Sequence, residues 1–190
     1  MTFADKVSSV RIILIPAFVS LLIYSRHNPY NPAIKYFAVG VFTLAVLTDF
    51  FDGLVARIKK EKSELGQIID PLADKLLLVT AFISLYLLDF KIPLLIVLVV
   101  VSRDAVMLLG FFIIYFLKIE LPIAPSMWGK LTTFFQMMTI FCVLLDFPFA
   151  QIVWTAAAIF TLISGIAYFA RGVRAINDRI GNNNRDSSRG

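Results

Sequence analysis

Six apolar segments, each near the roughly 20 residues that a bilayer's hydrocarbon core requires, recur along a chain of only 190 residues. They run over Val7 to Tyr24, Pro32 to Arg57, Gly66 to Leu88, Ile92 to Leu117, Trp128 to Phe147 and Phe149 to Ala170. Hydrophobic residues make up 59% of the chain and charged residues only 16%, with 18 phenylalanines, far from a soluble composition. The expected fold is an all-α integral membrane protein of six transmembrane helices. Lys6 and Arg11 before the first run could mark a signal peptide, but no A-x-A-like site follows and Pro16 interrupts the run, so it is read as a helix.

The 18 basic residues are distributed unevenly. If the amino terminus is cytoplasmic, thirteen fall inside, three outside (Arg26, Lys35, Lys91) and two, Lys75 and Arg103, within spans. Such a bias predicts both termini in the cytoplasm. The net charge of +5 therefore points to an anionic lipid surface and not to nucleic acid, because the basic residues flank apolar segments. One cysteine, Cys142, excludes an internal disulfide and a multi-thiolate metal site. Residues 1–180 are expected to form the membrane domain and the polar segment 181–190 a disordered tail.

The chemistry is expected where the second and third apolar segments meet. On a continuous helix Asp49, Asp52, Gly53, Ala56 and Arg57 fall at i, i+3, i+4, i+7 and i+8, a single stripe. Gly66, Asp70 and Asp74 form a second stripe at i, i+4 and i+8. The Asp70-Pro71 pair is compatible with a helix start, and Asp70 and Asp74 share a face in either case. A short loop makes the two helices antiparallel, so the stripes can face each other on the cytoplasmic side. Four converging carboxylates repel one another unless cations neutralise them, and intramembrane charge is costly without a function or partner. All-oxygen ligation suits two Mg²⁺ or Mn²⁺ ions, which serve phosphorus chemistry well. The competing reading, helix caps or pairs with Arg57, Lys59, Lys60 and Lys75, does not account for two matched stripes.

These residues spell D-x2-D-G-x2-A-R-x8-G-x3-D-x3-D from Asp49 to Asp74, and on that motif the chain resembles the CDP-alcohol phosphatidyltransferase family. RIILIP at Arg11 to Pro16, DPLADK at Asp70 to Lys75, SRD at Ser102 to Asp104 and GKLTTFFQ at Gly129 to Gln136 extend the likeness. The resemblance implies a membrane enzyme, usually a homodimer, that transfers the phosphatidyl group of a CDP-linked lipid to an alcohol and releases CMP. Carried over, Asp49, Asp52, Asp70 and Asp74 would hold two metal ions, Asp74 would also be the general base, and Gly53, Ala56, Arg57 and Gly66 would line the CDP-lipid pocket.

Arg103 and Lys130 are candidates to hold an anionic acceptor; the alternatives are local pairing of Arg103 with Asp104 and a snorkelling role for Lys130. The DPLADK and GK-x2-T-x2-Q segments resemble phosphatidylglycerophosphate synthases, with CDP-diacylglycerol and glycerol 3-phosphate as substrates. Asp104, where those enzymes usually carry Glu, resembles cardiolipin synthases, which would use phosphatidylglycerol. A divalent-cation transporter is the reading of another class, disfavoured because the acids cluster at one end of two helices. The expected location is a bacterial inner membrane, with the active site on the cytoplasmic side.

Overall fold

The computed structural model describes the backbone of residues 3–59, 64–116 and 127–187, and side chains over 11–48, 72–113, 127–168 and at 170. Six helices carry the described chain: α1 (Phe3–His27), α2 (Pro32–Lys59), α3 (Glu64–Leu87), α4 (Leu94–Phe116), α5 (Met127–Leu144) and α6 (Ala150–Ser187). Among the described residues there is no strand. Each helix overlaps one expected apolar segment.

Differences from expectation lie at the ends. α3 runs through Pro71 and begins at Glu64, so the Gly66–Asp74 stripe lies on continuous helix. α6 continues helically to Ser187, into the segment expected to be irregular; a helix satisfies its own backbone groups and can extend past the last apolar turn. Three stretches among the described residues are long and apolar enough to cross a membrane: Leu94–Ile113, Met127–Leu144 and Ala150–Tyr168. Pro32–Thr48 is a shorter apolar helix.

At one end of the bundle the helix boundaries follow from local sequence. Asn31 accepts the Ala33 N–H at 3.2 Å and precedes Pro32, an N-cap followed by the residue that fits the first helical position. α3 and α5 end alike. Asp89 and Asp146 adopt left-handed backbone, with φ of 58° and 51°, a region that Asp enters more readily than most side chains. The following amides close back on the helix, Phe90 N–H to the Leu85 carbonyl at 2.9 Å and Phe147 N–H to the Cys142 carbonyl at 2.8 Å, the Schellman pattern. Each aspartate then pairs with the α1–α2 hairpin, Asp89 with Arg26 at 3.3 Å and Asp146 with Lys35.

α1 packs extensively on α2 and α3, α5 on α6, and α4 on both α3 and α6. Phe18, Phe42, Leu78, Phe82 and Ile140 lie in the buried core, with Phe42 5.5 Å from Phe18 and 5.1 Å from Phe141, ring centre to ring centre. α4 shows the environment plainly. Its outward stripe, Leu95, Leu98, Val106, Leu109 and Ile113, is apolar and exposed, whereas its inward face buries Val100 together with Arg103 and Asp104. An exposed apolar stripe this long opposite a buried ion pair suits lipid outside and function within.

Candidate active site

α2 starts and α3 ends at the Asp89 and Asp146 end of the bundle, so the carboxyl-terminal part of α2 and the first turns of α3 lie at the other end. Asp49, Asp52, Gly53, Ala56 and Arg57 lie on α2, and Gly66, Asp70 and Asp74 on α3, in the helical register that puts each set on one stripe. Of these residues only Asp74 has a described side chain, about a quarter exposed. The side chains of the other seven, and with them the meeting of the two stripes, lie outside the described residues. Among the described residues no three His, Cys, Asp or Glu side chains converge as a metal site. The donor set itself, four carboxylates in i, i+3 and i, i+4 pairs on two helices, fits hard divalent cations.

A chain of charged and hydroxyl groups extends inward from Asp74. Lys75 Nζ lies 3.9 Å from Asp74 Oδ2 and 3.6 Å from Asp104 Oδ1, and donates to the Thr133 hydroxyl at 3.4 Å. Arg103 donates through one terminal nitrogen to Asp104 Oδ1 at 2.6 Å and through the other to Ser164 Oγ at 2.8 Å. Asp104 is completely buried. Four helices thus contribute to one polar line.

Their positions agree in depth: at 1.5 Å per residue from the helix ends at the Asp89 side, Arg103, Thr133, Lys75 and Ser164 lie about 14 to 21 Å in. Gly129 and Gly165 lie against the Arg103 side chain. A Cβ on Gly129 would come within 3.6 Å of Arg103 and within 3.9 Å of Ser164 Oγ, and one on Gly165 within 3.8 Å of the Arg103 stem. Lys130, the other acceptor candidate, is exposed on the first turn of α5; Arg103 and Lys130 therefore occupy different surroundings.

Further polar residues are buried among the helices. Arg11, counted from the sequence among residues flanking a span, is buried at 1%. Thr132 is buried and its hydroxyl lies 2.9 Å from both the Trp128 and Phe160 carbonyls, joining α5 to α6. Gln136 is buried with neither amide atom hydrogen-bonded to protein. Thr132 and Gln136 both lie in the GKLTTFFQ segment, at an i, i+4 spacing that puts them on one face of α5.

A sequence profile of the CDP-alcohol phosphatidyltransferases matches residues 1–163, a span that contains both aspartate stripes. The chain belongs to this family. Its known relatives include a Mycobacterium tuberculosis protein named "Probable phosphatidylglycerophosphate synthase", 33% identical over 91% of this chain and 82% of the relative. The Bacillus subtilis CDP-diacylglycerol--glycerol-3-phosphate 3-phosphatidyltransferase is 30% identical over 90% of this chain and 95% of the relative. The Homo sapiens cardiolipin synthase (CMP-forming) is 28% identical over 92% of this chain and 63% of the relative. In this CDP-alcohol phosphatidyltransferase both aspartate stripes fall within the matched residues, and the buried polar line begins beside Asp74.

Proposed function

We propose that this CDP-alcohol phosphatidyltransferase moves the phosphatidyl group of CDP-diacylglycerol to glycerol 3-phosphate, forming phosphatidylglycerophosphate and releasing CMP. The observation that carries the reading is the unbroken eight-position aspartate, glycine, alanine and arginine motif on two successive helices of a chain whose relatives bear that enzyme's name. In this reading the protein spans a bacterial inner membrane six times, with both termini and the site on the cytoplasmic side, as the distribution of basic residues favours. Residues 1–180 form the catalytic domain and work as a homodimer.

Asp49, Asp52, Asp70 and Asp74 hold two Mg²⁺ or Mn²⁺ ions. The ions, when bound, neutralise the diphosphate and steady the charge that develops at phosphorus. Arg57 adds a guanidinium to the same diphosphate, and the small residues Gly53, Ala56 and Gly66 let the nucleotide approach the helix backbone. Asp74 accepts the proton of the acceptor hydroxyl. The oxygen so freed bonds to the phosphorus that carries the diacylglycerol, the bond from that phosphorus to the bridging oxygen breaks, and CMP leaves. Arg103 and Lys130 hold the acceptor's phosphate. A site at the membrane boundary keeps acyl chains in lipid and the nucleotide in water.

Cardiolipin synthesis is the second reading, favoured by Asp104 after Arg103 and by the similarity to the human enzyme of that name. Purified protein in lipid with Mg²⁺ and CDP-diacylglycerol tests both. CMP release with glycerol 3-phosphate but not with phosphatidylglycerol is expected; the reverse selects cardiolipin synthesis, and release with neither rejects both.

A further inference from the structure

We propose that Lys75 is a substrate-contacting residue of this site, its ammonium held beside Asp74 by Asp104 so that it meets a phosphate oxygen of the bound substrates. The inference rests on the reading of the chain as a phosphatidyltransferase but adds a residue to it.

Lys75 and Arg103 share Asp104 and use it differently. Arg103 makes one short hydrogen bond through each terminal nitrogen, of 2.6 Å to Asp104 and 2.8 Å to Ser164. Those are the lengths of strong, charge-assisted and hydroxyl hydrogen bonds. Held between those two partners and only 6% exposed, the Arg103 guanidinium is less free than the Lys75 ammonium to follow a ligand. The Lys75 ammonium is nearly buried, its side chain 13% exposed, yet its two carboxylate neighbours stand at 3.6 and 3.9 Å and its one hydroxyl contact at 3.4 Å. All three neighbours stand beyond the roughly 2.7 to 2.9 Å of a formed ammonium–carboxylate bond.

Burying an ammonium whose hydrogen bonds are loosely filled is expensive. A phosphate oxygen entering beside Asp74 satisfies it without breaking any short bond. Asp104 sets the position: it is the only fully buried carboxylate among the described residues, and Arg103 fixes the oxygen that faces Lys75. A lysine is suited to this role because its point charge and three rotatable donors follow a phosphate through a changing geometry. The same chemistry is offered by the diphosphate of CDP-diacylglycerol and by the acceptor's phosphate, and kinetics separate the two.

The test uses full-length wild-type, Lys75→Met and Lys75→Arg proteins in lipid vesicles, each substrate being varied while the other is saturating. Removing Lys75 leaves Asp104 paired with Arg103, so the variants should fold, which circular dichroism checks. Lys75→Met should raise KM for one substrate by about 10- to 100-fold, the worth of one hydrogen bond to a charged group, and Lys75→Arg should recover part of it. A rise for glycerol 3-phosphate identifies the acceptor phosphate, and a rise for CDP-diacylglycerol identifies the diphosphate. Asp104→Asn should raise the same KM and add little in the Lys75→Met background. Unchanged KM for both substrates overturns the proposal. So does a change confined to Mn²⁺ affinity, measured by electron paramagnetic resonance, since Lys75 would then act on Asp74 alone. If the wild-type protein uses phosphatidylglycerol, the acceptor assignment fails while Lys75 is judged on that acceptor's KM.

Discussion

Arg103 reaches across from α4 to Ser164 on α6 at 2.8 Å while its other terminal nitrogen binds the adjacent Asp104 at 2.6 Å. The guanidinium therefore joins two helices and compensates a carboxylate that water does not reach. Removing one member of a buried pair leaves the other charge uncompensated, whereas replacing both by apolar residues can cost little. Asp104→Asn should lower stability by about 3 to 5 kcal/mol, and the Arg103→Met/Asp104→Leu double variant should recover most of that. Denaturant unfolding in detergent micelles measures both.

Asp89 gives the contrasting case. Its ion pair with Arg26 spans 3.3 Å, but the two side chains are 86% and 51% exposed. Asn also tolerates the left-handed backbone at this position. Asp89→Asn should change stability by less than about 1 kcal/mol, in the same unfolding measurement.

Asp74, about a quarter exposed beside Lys75, carries the proposed base. Asp74→Asn should reduce CMP release by at least about 10² to 10⁴ while the protein still inserts and keeps its helical circular dichroism. Full activity in that variant would refute the assignment.

Metal dependence follows from four carboxylates on two helices. EDTA should abolish CMP release, and added Mg²⁺ or Mn²⁺ should restore it. Manganese titration followed by electron paramagnetic resonance should count two ions in the wild-type protein, with weakened binding in Asp49→Asn and Asp70→Asn. One ion, or undiminished binding in both variants, would remove the two-metal arrangement.

Lys130 is exposed at the start of α5 while Arg103 is buried and doubly bonded, so their loss should read differently. Lys130→Ala should raise the acceptor's KM with little change in stability. Arg103→Ala should raise it and also lower stability, because Asp104 and Ser164 lose their donor. Unchanged acceptor KM in both would take them out of the acceptor site.

Much of this architecture was legible in the amino-acid order because a bilayer imposes a length on each apolar run and the α-helix imposes a period on each functional stripe. The six segments became six helices, and the aspartates of α2 and α3 kept the spacing that places them on shared faces. Local rules were weaker at the ends: Pro71 lies inside α3 where an Asp-Pro pair permits a start, and α6 outruns its apolar stretch. The choice for Arg103 between ligand contact and local pairing could not be made from neighbours in sequence. Only the packing of α3, α4, α5 and α6 brings Lys75 to Asp104 and Thr133, and Arg103 to Ser164, since these partners lie on different helices far apart in sequence. Sequence determined which residues carry charge into the apolar segments and at what spacing; tertiary structure decided which groups on other helices those charges meet, because only packing brings distant helices together.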